Sequence, residues 1–376
     1  MKTDRQNTFY FIAGEASGDL HGAELIKHLK KLNNKALFCG IGGNKMVAAG
    51  MYSLLPMKKI SVMGFVEVVK RLPFFLKLLN DVVYDIKLKK PKTVVLIDFP
   101  GFNLKLAKKI KKNTSINVVY YISPQVWAWK ENRLKYIKQY VDKLIVLFPF
   151  EIAWYKKRGI NVKYFGHPLV ESYQLSKKMG QHKPYDIKRD NFVIALFPGS
   201  RQQEINEHLP ILKQTVAQLN SVNKKIHYIV RISSNINFEV RRDLGLSKNF
   251  TIEKNNSFRA FDQASFAVVA SGTATLECAV TNTPFVVIYK TSFLSWFITK
   301  TFIKVPYASI VNILSSKKIV EEFLQSRAKA VLLAGHLIKQ ISKGGGECDF
   351  SSLIAALSQK NTYKNTANYI FNFKND

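Results

Sequence analysis

The residue types able to do chemistry cluster just after short apolar runs. Asp98 ends the run Thr93–Ile97 and precedes Phe-Pro-Gly-Phe-Asn. A carboxylate at a strand's carboxyl end, among apolar neighbours, is placed for a raised pKa and general-base work; a helix cap explains its position equally well. Gly14-Glu15-Ala16-Ser17-Gly18-Asp19 makes a tight turn in which Ser17 or Asp19 can cap the following helix. It is not a GxGxxG fingerprint. Phe197-Pro198-Gly199-Ser200-Arg201 offers room for a phosphate at Gly199, converging backbone donors near Ser200, and a bidentate fork in Arg201. Ala270-Ser271-Gly272-Thr273-Ala274-Thr275-Leu276-Glu277 is a small-residue turn opening a helix whose N-terminus suits a diphosphate. Glu277, one turn in, is placed to accept hydrogen bonds from ribose hydroxyls. Ser123-Pro124-Gln125-Val126-Trp127-Ala128-Trp129 puts two tryptophans in one loop, to stack on a sugar or acyl chain or to plug the core.

These segments need strands and helices to place them. Short apolar runs alternate with amphipathic ones, which predicts parallel sheets with helical crossovers. Strands are expected at Thr8–Ala13, Ala36–Cys39, Thr93–Ile97, Val118–Ile122, Leu144–Leu147, Phe192–Phe197, His227–Ile232, Phe266–Ala270 and Pro284–Ile288. Gly40–Gly43 reads as a turn, Ser172–Asn191 as a linker, and the chain beyond Ile319 as helical. The fold class is α/β, with two doubly wound Rossmann-like domains and a cleft between them. The domains are expected at 1–170 and 171–345, with a C-terminal helix near 350–376 packing back on the first.

With 376 residues, 47% hydrophobic and 22% charged, the chain is globular and long enough for two domains. Its net charge of +31 suits nucleic acid, an anionic membrane face or phosphorylated substrates. The lysines are dispersed and no nucleic-acid reading motif is present, so nucleic acid is not the expected partner. The single cysteines Cys39, Cys278 and Cys348 give no zinc or disulfide pattern. No apolar stretch reaches membrane-spanning length, which suggests a cytoplasmic chain. Segment 62–79, with Val66, Val69, Phe74, Phe75 and Leu76, reads either as a patch dipping into a bilayer or as a buried helix pair broken at Pro73. The basic apolar segment 293–304 invites the same two readings.

Together the motifs AGEASGDLHGA, VMGFVEVV, LIDFPGFN, YISPQVWAWKENR, GHPLVE, LFPGSRQQEI and ASGTATLE resemble those of the lipid A disaccharide synthase family. They run in the family's order from residue 13 to 277, with weaker similarity to about Gln325. The resemblance implies GT-B architecture and an inverting transfer of diacylated glucosamine from UDP to a diacylated glucosamine 1-phosphate. It implies action at the cytoplasmic face of the inner membrane, no cofactor or metal, and a possible homodimer. By the same resemblance Asp98 is the first candidate base, with Glu15 and Asp19 as alternatives. Gly199, Ser200, Arg201, Ser271, Gly272 and Thr273 would hold the diphosphate, Glu277 the ribose, and Ser17 and Asn312 would complete the donor contacts. The chain departs from the family at Ile310-Val311-Asn312, which lacks a proline, at Glu321–Gln325 and in the tail from Gly344. Another GT-B enzyme, a peptidoglycan-precursor glycosyltransferase or a UDP-sugar 2-epimerase, is the alternative. A basic non-catalytic binding protein ranks third, because a scaffold has no need of two phosphate turns.

Overall fold

The computed structural model describes residues 7–60, 71–232, 238–291, 305–346 and 348–373. Val66, Val69 and the segment 293–304 lie outside the described residues. The chain divides into two compact units, Met1–Glu171 with Leu357–Asp376, and Ser172–Ala356.

The first unit holds a parallel sheet of seven strands: β1 Thr8–Ala13, β2 Leu37–Gly42, β3 Met51–Pro56, β4 Thr93–Ile97, β5 Asn117–Tyr121, β6 Lys143–Val146 and β7 Val162–Tyr164, in the order β3-β2-β1-β4-β5-β6-β7. Val94 and Leu96 pack into the core on one face, Val95 and Ile97 into the core on the other. A strand covered on both faces has no polar side, which is why TVVLI reads as an unbroken apolar run. The chain's last helix, Thr362–Phe371, completes the second of these cores with Tyr363, Ala367 and Ile370. It is tied down where the Glu171 carboxylate accepts the Tyr363 amide at 2.8 Å and Lys92 Nζ donates to the Phe371 carbonyl at 2.6 Å.

The second unit repeats the plan with β8 Phe192–Phe197, β9 Ile226–Arg231, β10 Phe250–Glu253, β11 Phe266–Ala270, β12 Phe285–Tyr289 and β13 Glu322–Leu324, in the order β10-β9-β8-β11-β12-β13, all parallel. Each sheet reverses its winding direction once, between β1 and β4 and between β8 and β11. Loops leaving the carboxyl ends of such neighbouring strands diverge, and the opening they leave is where doubly wound sheets take ligands.

Three expectations need correction. Gly40–Gly42 belong to β2, with an irregularity between Gly40 and Ile41, rather than to a turn. Gly40 lies against the Phe11 carbonyl, where a Cβ would meet oxygen at 2.0 Å. The expected linker begins inside a helix, Pro168–Lys178. The stretch beyond Ile319 is not all helical, because Glu322–Leu324 pairs with β12.

Candidate active site

In the first unit the register Ala13↔Ile97 and Ile97↔Tyr121 brings the loops after β1, β4 and β5 side by side. Asp98 and Phe99 both take left-handed backbone, at φ 44° and 49°. Consecutive non-glycine residues there cost on the order of 1–3 kcal/mol each and persist only when the surroundings hold them. Here Asp98 N–H donates to the Tyr121 carbonyl at 3.0 Å, and the Asp98 carbonyl accepts from Tyr120 Oη at 2.6 Å and Asn103 Nδ2 at 2.8 Å. Gly14 leaves the space that the Phe99 ring needs, since a Cβ there would meet it at 2.5 Å. Asp98 and Ser17 are half-buried, and Glu15 on the neighbouring loop is exposed. Burial and the Asp98 charge hold the Tyr120 phenol well above its usual range, so it stays a neutral donor.

Asp19 belongs elsewhere. It is buried, and its carboxylate accepts the amides of Gly43 (2.8 Å), Met46 (3.0 Å) and Lys45 (3.1 Å) at the start of the helix Asn44–Ala48. Asp19 therefore caps that helix, a framework role in place of a base, and neither it nor Ser17 caps Ala16–Leu32.

The two tryptophans divide the alternatives between them. Trp127 is buried and its indole donates to Glu151 Oε1 at 3.0 Å. Trp129 is 40% exposed, with Lys130 Nζ 4.4 Å and Arg133 Cζ 5.3 Å from its ring centroid. Sequence reasoning passed over Glu151. Its other oxygen accepts the Leu147 and Phe148 amides at 3.0 and 2.9 Å, so one buried carboxyl ties the loop after β5 to the loop after β6. Burial outweighs these donors and pushes its pKa up to about 7. His21 and His167 are buried and pushed down to about 4 and about 3, so both are neutral near pH 7.

Phe74 and Phe75, on the helix Leu72–Lys89, are half-buried rather than exposed. Phe75 packs at 6.5 Å from Phe99 and 6.2 Å from Phe102. Leu76 and Leu72, at 48% and 43% exposure, face outward.

In the second unit Val269↔Phe197 sets the turns after β8 and β11 beside each other. Gly199 at φ 131° and Gly272 at φ 148° adopt backbone that side chains disfavour. Gly272 starts the helix Thr273–Val280; Gly272 and Thr273 are exposed, and a Cβ on Gly272 would touch nothing within 4 Å. The Ser200 amide and Arg201 Nη1 both lie on Glu204, at 3.2 and 3.5 Å. Ser271 Oγ donates to the Ala308 carbonyl at 2.8 Å. Glu277 is half-buried; burial raises its pKa against the pull of the Ser257 hydroxyl and Arg231.

Asn312 is fully buried. Its Nδ2 donates to Val320 O (3.0 Å) and Glu322 Oε1 (2.8 Å), and its Oδ1 accepts from the Ile319 and Val320 amides at 2.9 and 3.0 Å. All four hydrogen-bonding positions of the amide are filled by the chain, so the expected nucleotide contact is replaced by a structural one. Glu322 also accepts the Ala308 and Ser309 amides at 3.1 and 2.8 Å, bracing the segment on which Ser271 leans. His208 Nδ1–H donates to the Pro198 carbonyl at 2.7 Å and its Nε2 accepts the Lys290 amide at 2.9 Å, joining the β8 turn to the end of β12. His208 stands in no motif that would have exposed it, and the sequence marks Glu322 only as part of the departure at Glu321–Gln325.

A family model described as Lipid-A-disaccharide synthetase matches residues 9–370. Lipid-A-disaccharide synthase 1 of Legionella pneumophila is 39% identical over 329 residues, 87% of this chain and 86% of the relative. The lipid-A-disaccharide synthase of Methylobacillus flagellatus is 34% identical over 375 residues, 97% of this chain and 99% of the relative. Among solved structures, UDP-GlcNAc 2-epimerase from Neisseria meningitidis bound to UDP-GlcNAc superposes with TM-score 0.64 at 10% identity, over 96% of this chain and 98% of that one. Acinetobacter baumannii MurG gives 0.56 at 11%, over 97% and 99%. At such identities the likeness is one of fold, the two-unit parallel α/β fold of GT-B glycosyltransferases and related epimerases.

Proposed function

The chain belongs to the lipid-A-disaccharide synthetase family, and from that premise we propose how its residues divide the labour of the transfer. The protein is a glycosyltransferase of lipid A biosynthesis. Its donor is UDP-2,3-diacylglucosamine and its acceptor 2,3-diacylglucosamine 1-phosphate. Asp98 takes the proton of the acceptor's 6-hydroxyl. The new bond from that oxygen to the donor's anomeric carbon forms as the bond to the diphosphate breaks, with inversion, and UDP departs with the electron pair. Glu15 lies on the adjacent loop as the second carboxylate of this rim.

The observation that carries this reading is the pair of glycine turns on neighbouring strands of the second unit, Gly199 and Gly272, the latter open on its free side at a helix N-terminus. Backbone donors at such a terminus favour a diphosphate and the charge it gains on leaving. Arg201, Ser271 and Thr273 complete the cradle, and Glu277 receives the ribose. Among the described residues no helix is long and apolar enough to cross a membrane. Leu72 and Leu76, exposed about 40° apart on a helix that also carries Lys77, support contact with an anionic bilayer surface, which we assign to the cytoplasmic face of the inner membrane.

A turnover assay in detergent micelles, with EDTA present, tests the assignment. UDP release that requires both diacylated sugars supports it. UDP release without acceptor, or epimerisation of the donor sugar, overturns it.

A further inference from the structure

The loop after β5 carries charge that the reaction outlined above leaves unused. Lys130 opens the turn Glu131–Arg133 at φ 55°, a left-handed position that a lysine adopts only when held there. Its ammonium lies over Trp129 and Arg133 lies over the same ring, at 4.4 and 5.3 Å from the centroid. Neither cation forms an ion pair with a described residue. Glu131, the carboxylate between them in sequence, is taken by Arg158 Nε at 2.8 Å, and Arg158 is itself stacked on Trp154 at 3.7 Å. Burial and, after it, the Arg133 charge push the Lys130 ammonium below its usual range, so the two cations lie near enough to feel each other. The loop that carries the ring is anchored on either side of Gln125. Trp127 is fixed on Glu151, and Ser123 Oγ lies 2.6 Å from Tyr155 Oη at the loop's start.

We infer that Lys130 and Arg133, flanking the exposed ring of Trp129, form a subsite for a phosphomonoester, the 1-phosphate of the acceptor sugar. The inference rests on the transferase reading and deepens it. An arginine fork and a lysine point charge are the pair that a dianionic phosphate recruits, and cations held on an indole face keep their donors pointed outward. Position is the second support. Arg133 is half-buried, and the Asp98 charge acts on its guanidinium against the effect of burial. Carbons 1 and 5 of a hexopyranose flank the ring oxygen, and carbon 6 is carried on carbon 5, so the 1-phosphate and the 6-hydroxyl lie on the same side of the sugar. A phosphate held at this cation pair therefore keeps the 6-hydroxyl of the same sugar within the neighbourhood of Asp98. The same pair would also attract phospholipid headgroups, which are mostly phosphodiesters, so the test separates the two sources.

Turnover is measured in neutral detergent micelles with the acceptor and with the same sugar bearing a free 1-hydroxyl. Wild type is expected to prefer the phosphorylated acceptor by ~100-fold in kcat/KM, and Lys130→Gln or Arg133→Gln to cut that preference ~10-fold or more while the donor KM stays unchanged. Lys130→Arg should restore most of it. Variants that keep the full preference, or that lose both acceptors equally, overturn the subsite. Loss of binding to anionic vesicles with the preference intact assigns the pair to headgroups and overturns it too. A second measurement does not need turnover, so it survives failure of the transferase reading. Glucosamine 1-phosphate, but not glucosamine, should change tryptophan fluorescence saturably, and Trp129→Phe or Arg133→Gln should abolish the change. An equal response to both sugars would sink the proposal.

Discussion

The rims of the two sheets solve different problems with different materials. In the reading proposed here, function at the first falls on side chains: Asp98 on strained backbone, Trp129 with its two cations, and a buried carboxyl, Glu151, holding two loops together. At the second, it falls on backbone: Gly199, Gly272 and a helix N-terminus, with side chains such as Asn312, Glu322 and His208 occupied in bracing it. A leaving diphosphate spreads charge over many oxygens and is served by fixed N–H groups, whereas moving one proton requires one basic atom at one place.

The contrast can be broken by experiment. Replacing Asp98 with Ala should lower turnover by ~10²–10⁴-fold, the usual worth of a positioned base, while calorimetry finds UDP binding unchanged. Loss of UDP binding would erase the distinction between the rims. Glu151 gives a smaller effect, read in stability. Its folded pKa of about 7 exceeds the ordinary 4.5, so the folded chain keeps the proton that the unfolded chain releases first. Stability should therefore fall as pH rises from about 4.5 to about 7, by on the order of 3 kcal/mol, and level off above. In Glu151→Gln that slope should flatten in thermal melts across the range; an unchanged slope would place the titration elsewhere. Smallest is Arg201→Ala, expected to raise the donor KM by ~10–100-fold with the acceptor KM unaltered, since backbone supplies the rest of the cradle. A matching rise in acceptor KM would show that the labour is not divided.

What the sequence reveals follows burial. Thr8–Ala13, Thr93–Ile97, Phe192–Phe197 and Phe266–Ala270 are strands to the residue, because each lies inside a sheet with both faces covered. The strands it does not reveal, Met51–Pro56, Val162–Tyr164, Phe250–Glu253 and Glu322–Leu324, are the four sheet edges. An edge strand is short and partly solvated, so its apolar run is broken. The same logic governs the site. Turns at strand ends are legible as small residues after apolar runs. The hydrogen bonds that remove Asp19 and Asn312 from ligand contact reach residues 24 and 8 positions away or fill every lone pair locally, and composition carries no trace of them. Glu151 and His208 are hidden for the same reason: their meaning is a contact made by tertiary structure.

The helix Thr362–Phe371 has a consequence for how the chain is made. Tyr363, Ala367 and Ile370 fill a core whose other members are translated hundreds of residues earlier. The first unit to be synthesised is thus finished only after the second, and until Thr362–Phe371 is made, part of one apolar face of its β-sheet lacks its cover. The second unit, contiguous in sequence, has no such wait. Folding during synthesis, which ordinarily favours the N-terminal domain, should run here in the reverse order, with the early half dependent on chaperones until its last helix arrives.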